Sequence, residues 1–316
     1  MSAEIFTSAA AIAVPNIRGL PMKLNLSTFF QSRVNVMLFR HLPAPLSYAY
    51  MQAIGKLYYL VKRSEKRLIE KNIRDMLEGK NEKHIRRIIR QTFKGIFAHY
   101  YEKMYSAYKD INAIWRLVGK KVTIQNEKAI ADAISYGKGV ILVTAHWGAV
   151  EFIPWVLRSK GYPTSIIVDC QTKQLEKALN KRATLMNCEL ISNSADASVF
   201  FRALSSLKEN RLLMTECDEV DAWHKRPNKT IELFGKKLFF DPTLNILAKR
   251  SGAAVVGVFL KRVSRNSYTL ICEPISRGER DVDTAKGAFS LWQKYVNQNP
   301  EQWYQWKKWN AMKAVS

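Results

Sequence analysis

The stretch VTAHWGAVEF, residues 143–152, sets an imidazole, His146, five positions ahead of a carboxylate, Glu151. Behind it runs GVILVTA (139–145), aliphatic and β-branched, the composition of a buried strand. In open α/β sheets, ligands and reacting groups gather at the carboxyl ends of strands, so His146 stands where a reactive side chain meets substrate. A helix is expected to begin within a residue or two, near Trp147. Glu151 then lies about one turn inside it and can face back toward the ring. A carboxylate accepting from one ring nitrogen fixes the tautomer and leaves the other nitrogen free to take a proton. Such a pair suits a general base acting on an alcohol, and the helix N-terminus beside it favours a negative charge, on an oxyanion or a phosphate. A histidine ahead of a helix also serves as a plain cap or a buried polar group, so the pair alone leaves both readings open.

Positioning such a pair takes a sheet. After Lys120, short β-branched runs alternate with helical patterns. The segments 139–145, 164–169, 211–217, 230–235, 253–262 and 268–274 read as strands. NEKAIADAISYG, TKQLEKALNKRATLMN, DASVFFRALSSLKEN and DPTLNILAKRSG read as helices between them. The alternation predicts an α/β fold with a mostly parallel central sheet flanked by helices. Ahead of it lies a helical N-terminal layer. Residues 1–27 read as an irregular arm, and residues 28–62 as two amphipathic stretches divided by the prolines of HLPAPLS. Apolar positions from Ile85 through Phe97 recur at helical spacing and predict a long helix with one buried face. No Gly/Pro/Ser-rich linker divides the chain. Residues 1–110 are therefore assigned to a membrane-associating helical layer, and 111–316 to an α/β core continuous with it.

The charge narrows the partners. Fifty Lys and Arg against 27 Asp and Glu give +23, a field that attracts nucleic acid, an anionic membrane or an acidic protein. No zinc-finger spacing, RNP-like aromatic motif or helix-turn-helix signature is present, so no nucleic acid is expected. No run of 18 apolar residues is long enough to span a bilayer; Ala9–Pro15 is apolar but short and has no basic segment before it. The four cysteines, Cys170, Cys188, Cys217 and Cys272, form no CxxC pair and read as free or buried thiols of a reducing compartment. The remaining histidines, His41, His84, His99 and His224, are not expected to catalyse.

TAHWGAVE resembles the first motif, His, four residues, then Asp or Glu, of the glycerolipid-type acyltransferases. The likeness is closest to the bacterial late lipid A acyltransferases. It continues through RLLMTECDE, FGKKLFFDPTLNILAKRSGAAVVGVFLKR and PEQWYQWKKW, and through a lead-in containing PLSYAYMQAIGKLYYLVKR and NIRDML, over roughly residues 40–310. The resemblance implies transfer of a fatty acyl group from an acyl-carrier-protein or acyl-CoA thioester to a hydroxyl of a lipid or glycolipid. It implies direct attack, with no acyl-enzyme, no metal and no cofactor beyond the thioester co-substrate. His146 would be the base and Glu151 its orienting partner. Arg182 would meet a phosphate or the oxyanion, with an exposed helix arginine as the alternative. Glu216 and Asp218 match the acidic strand end and would orient the base or bind acceptor hydroxyls, with structural hydrogen bonding as the alternative. Gly235 would permit a tight turn near the site, which turn geometry alone would also explain. Trp303, Trp306 and Trp309 suit an interfacial anchor or, more simply, the packing of a C-terminal helix.

The implied location is the cytoplasmic face of the bacterial inner membrane, peripheral or monotopic, on an anionic surface. The chain departs from the branch in lacking a clear N-terminal membrane span, in reading IIVDCQTKQL where a YR-type element is usual, and in ending its acidic strand in ECDEVD rather than DQD. Those departures leave the acceptor open. Two other classes stand beside the enzyme: a catalytically inactive lipid-binding relative, and a basic nucleic-acid-binding protein.

Overall fold

A computed structural model describes residues 29–170, 172–192, 199–220, 229–265 and 267–312. The arm expected over 1–27, the short apolar stretch Ala9–Pro15 and His224 lie outside the described residues.

The central sheet has the order β1-β9-β8-β2-β5-β3-β4. Its strands are β1 (Val122–Gln125), β2 (Val140–Thr144), β3 (Thr164–Val168), β4 (Cys188–Ser192), β5 (Leu212–Glu216), β8 (Ala254–Ser264) and β9 (Ser267–Ser276). β8, β2, β5, β3 and β4 are mutually parallel; β9 is antiparallel to β8, and β1 pairs parallel with β9. Every residue of β2 is buried, because helices cover both faces of a parallel sheet, and this explains its unbroken VILVT run. From β2 the chain winds outward to β3 and β4, returns to β5 beside β2, then crosses to β8 on the other side of β2. The crevice at the carboxyl ends of β2 and β5 is thus where ligands are expected to bind. The segment predicted as a strand over 230–235 leaves this sheet. It forms a separate hairpin, β6 (Thr230–Leu233) with β7 (Lys236–Phe239).

Among the described residues, four helices build the N-terminal layer: α1 (Arg33–His41), α2 (Ala44–Val61), α3 (Arg63–Met76) and α4 (Glu82–Tyr108). Pro43 and Pro45 separate α1 from α2, because proline is accepted in a first turn and not inside a helix. α4 is capped by Asn81, whose side chain accepts from Lys83 N. Its early turns bury one face through Ile85, Ile88 and Ile89, and its last three turns are almost wholly buried. α5 (Ile111–Lys121), α6 (Lys128–Ile134), α7 (Ile153–Ser159), α8 (Lys173–Met186), α9 (Val199–Lys208), α10 (Thr243–Ser251) and α11 (Thr284–Gln298) complete the helices. One buried apolar cluster runs from Phe30 through the sheet to Met312.

The loop after β2 is tied on three sides. Gly148 N donates to Gln302 O at 3.0 Å and Ala149 N to Leu260 O at 2.8 Å. Gly148 has φ +64°, and a Cβ there would stand 2.0 Å from Leu260 O, so only glycine fits. Arg262 of β8 forms two bonds to Glu102 of α4, at 2.7 and 2.8 Å, and a third to Gly148 O. Both charges are well buried. Removing one partner strands the other, so Glu102→Ala is expected to cost about 3–5 kcal/mol. Thermal unfolding checks it: the midpoint should drop by roughly 5 °C or more, and an unchanged midpoint would show that the pair does not hold the loop.

Candidate active site

Strand register brings the site together. Thr144 of β2 pairs with Glu216 of β5, and Cys217 N donates to Thr144 O at 2.8 Å. Two residues further along each strand stand His146 and Asp218. His146 Nδ1 lies 2.9 Å from Asp218 Oδ1. The His146 backbone N–H reaches both carboxylate oxygens, at 3.0 and 3.1 Å. Trp303 Nε1 donates to Asp218 Oδ2 at 2.7 Å. Asp218 is fully buried, and burial alone would raise its pKa. The imidazolium, this hydrogen bond and the Trp303 donor outweigh burial and hold it below the ordinary aspartate value. An ionised Asp218 only accepts, so Nδ1 carries the donated proton and Nε2 is the nitrogen turned to chemistry.

Nε2 meets two more carboxylates, Glu219 Oε1 at 3.1 Å and Glu216 Oε2 at 3.3 Å. Burial disfavours charge on the ring, but Glu216, Asp218 and Glu219 together raise it to about 9. Burial, with Asp218 and Glu219 adding and His146 opposing, raises Glu216 to about 7. Lys308 holds Glu219 from the other side.

Glu151 does not hold the ring. The helix expected from Trp147 begins only at Ile153, because Trp147 bridges to Trp303 and the next two residues are tied to Gln302 and Leu260. Glu151 falls in a single 3-10 turn, Val150–Phe152, and points at α4. Its Oε1 stands 3.8 Å from both His99 Nε2 and Lys103 Nζ. His99 stacks on Tyr304 with centroids 3.6 Å apart and an interplanar angle of 15°, and Tyr304 meets the His146 ring edge-on at 5.4 Å. Burial, with Lys103, His146 and Arg262 nearby, holds His99 well below its ordinary pKa and so neutral. His146, Glu216, Glu219, Glu151, His99, Lys103 and Tyr304 border one cavity of about 660 Å³, whose apolar wall includes Leu175, Leu179 and Met186 of α8 and Met214 of β5.

Of the residues singled out from sequence, His146, Glu151, Glu216 and Arg182 border this cavity, and buried Asp218 stands behind the ring. Arg182 is half-buried rather than an exposed helix arginine. It donates to the carbonyls of Ala107 and Lys109 and sits over the Trp155 ring. Gly235 does not border the cavity. Phe234 and Gly235, at φ +52° and +71°, form the tight turn of the β6–β7 hairpin, and that conformation alone accounts for the glycine. His99, Lys103, Glu219 and Tyr304 were not foreseen as site residues. His99 and Lys103, four apart on α4, share a face, but only the fold shows which sheet edge that face meets. His146, Glu216 and Glu219 also present ligand atoms within 4.8 Å of one another, a set able to take a divalent cation.

The profile of bacterial lipid A biosynthesis acyltransferases matches residues 23–309. The chain belongs to that family. No curated protein matches it significantly. Membership of the lipid A acyltransferase family supports acyl transfer to a lipid acceptor.

Two outcomes follow from the electrostatics. Asp218→Asn removes one negative charge from Nδ1, so the His146 ring, followed by NMR, should titrate at lower pH; an unmoved midpoint would remove Asp218 from the role. The sign for stability is also fixed. Glu216 and His146 both have folded pKa values above their unfolded ones. Each stabilises below its unfolded value and loses that contribution as pH rises, Glu216 up through about 7 and His146 up through about 9. The melting temperature should fall from pH 6 to pH 9.5, and less steeply in Asp218→Asn.

Proposed function

We propose that this acyltransferase moves a fatty acyl group from the thioester of acyl carrier protein, or of acyl-CoA, to a hydroxyl of a glycolipid or other lipid. The observation that carries the reading is the Asp218–His146 hydrogen bond, which leaves Nε2 facing a cavity with an apolar wall.

In this reading the acceptor hydroxyl displaces Glu219 and Glu216 from Nε2. The ring first releases to solvent the Nε2 proton that those carboxylates stabilise, and then takes the hydroxyl proton. The alkoxide oxygen attacks the thioester carbonyl, a C–O bond forms, and the carbonyl electrons move onto oxygen. The tetrahedral oxyanion then collapses, the C–S bond breaks, and the imidazolium returns its proton to the leaving thiolate. Atoms balance as alcohol plus thioester giving ester plus thiol, with no acyl-enzyme. Lys103, held beside Glu151, supplies positive charge toward the oxyanion. Glu151 thus acts through Lys103 and His99 rather than on the base.

The reading needs neither metal nor cofactor. A cation bound by His146, Glu216 and Glu219 would take the Nε2 lone pair that removes the proton. Among the described residues, no helix is long and apolar enough to cross a membrane. That supports peripheral or monotopic residence, which we place at the cytoplasmic face of the bacterial inner membrane. The +23 charge favours both anionic headgroups and an acidic carrier protein.

Purified protein given acyl carrier protein charged with a radiolabelled fatty acyl group, and a membrane lipid extract, should label one lipid class. His146→Ala should abolish the labelling, and Glu151→Gln should reduce it by about 10–100-fold with an unchanged circular dichroism spectrum. Labelling that persists in His146→Ala would overturn the mechanism, and none from wild type would favour an inactive lipid-binding relative. A chelator should leave the rate unchanged and zinc should inhibit; loss of activity on chelation would contradict the metal-free reading.

A further inference from the structure

α2 is apolar on both of its faces. Its inner face, Ser47, Met51, Gly55 and Tyr59, is buried in the N-terminal layer. Its outer face is a straight stripe at helical spacing, Leu46, Ala49, Ala53, Leu57 and Leu60, continued by Val61, and all six are exposed. Leu57 is 56% exposed, Leu60 62% and Val61 76%. A surface helix ordinarily turns charged or polar groups outward. On α1, Val34 at 63% and Met37 at 57% stand out in the same way. A contiguous apolar surface of this kind marks an interaction site.

Charge identifies the partner. From Phe29 to Ser64 there is no acidic residue, while Arg33, Arg40, Lys56, Lys62 and Arg63 are all exposed. The first carboxylate after the stripe, Glu65, is taken by the hydroxyls of Tyr58 and Tyr59. An apolar stripe rimmed by cations alone fits the interface of an anionic bilayer, with leucines below the headgroups and lysine and arginine among them. The C-terminal end of the stripe adjoins the active-site cavity, which Tyr59, Glu65 and Ile69 help to line.

We infer that α2 lies in the plane of an anionic membrane surface, Leu57, Leu60 and Val61 inserted and Lys56, Lys62 and Arg63 on headgroup phosphates, so that the cavity opens toward the lipid from which the acceptor enters. The functional meaning of this surface rests on the acyl-transfer reading; the surface itself rests on exposure and charge.

Flotation of the full chain with phosphatidylethanolamine vesicles, with and without phosphatidylglycerol, tests it. Wild type should float with the anionic vesicles. Leu57→Asp/Leu60→Asp should lose roughly tenfold or more of that partitioning. Lys62→Glu/Arg63→Glu should lose most of the gain that phosphatidylglycerol gives. Both variants should keep wild-type circular dichroism and wild-type transfer to acceptor dispersed in detergent. The inference is overturned if the Asp pair floats like wild type. It is overturned equally if light scattering finds a dimer that the Asp pair splits, which would make a second copy the occupant. Transfer that persists while neither pair alters flotation sinks the surface and spares the chemistry. Flotation that depends on the leucines with no transfer by any preparation does the reverse.

Discussion

A single hydrogen bond between the ends of two neighbouring strands organises this protein's chemistry. β2 and β5 are parallel, in contact and in register, so a residue two places past Thr144 must meet a residue two places past Glu216. Those residues are a histidine and an aspartate. Because the aspartate is buried, charged and doubly tied to the histidine backbone, it fixes the tautomer as well as the ring. Other features serve that contact. Trp303 satisfies the second carboxylate oxygen, Gly148 and Gln302 fix the loop that carries His146, and the Arg262–Glu102 pair binds that loop to α4.

Around the exposed nitrogen, the energetics pull in two directions. Two glutamates at hydrogen-bond distance stabilise an imidazolium, while a base must be neutral to act. In the proposed mechanism the acceptor hydroxyl takes the place of those carboxylates at Nε2, and Lys308 is already paired with Glu219. The second cluster, Glu151 with a neutral His99 and Lys103, faces the same cavity and sets the Lys103 ammonium on its wall.

Much of the frame was legible in the sequence, for physical reasons. Unbroken aliphatic runs such as VILVT mark strands covered on both faces, and all six strands read from such runs are present, though 230–235 pairs outside the sheet. β1, β4 and β7 escaped because VTIQ, CELIS and KKLF are short and about half polar. The position of His146 at a strand end was legible too, since it needs only local pattern. Its partner was not legible from spacing; only the family resemblance set Asp218, with Glu216, among the groups that could orient the base. Spacing favoured Glu151, five residues away, yet the carboxylate that holds the ring is Asp218, 72 residues away. Finding it requires strand order, which hydrophobic periodicity does not encode. His99 was passed over for the same reason, as a helix face shows that something is buried and not what it meets.

The central claim is that His146, held by Asp218 and crowded by Glu216 and Glu219, is the base. The dependence of kcat/KM on pH tests it most directly, because it reports the free enzyme's own ionisation. The account predicts that kcat/KM rises with pH through a single midpoint well above the ordinary histidine value of 6.5, toward the value of about 9 that the surrounding carboxylates favour. A rate that is flat across that range, or one whose midpoint sits at the ordinary value, would contradict it.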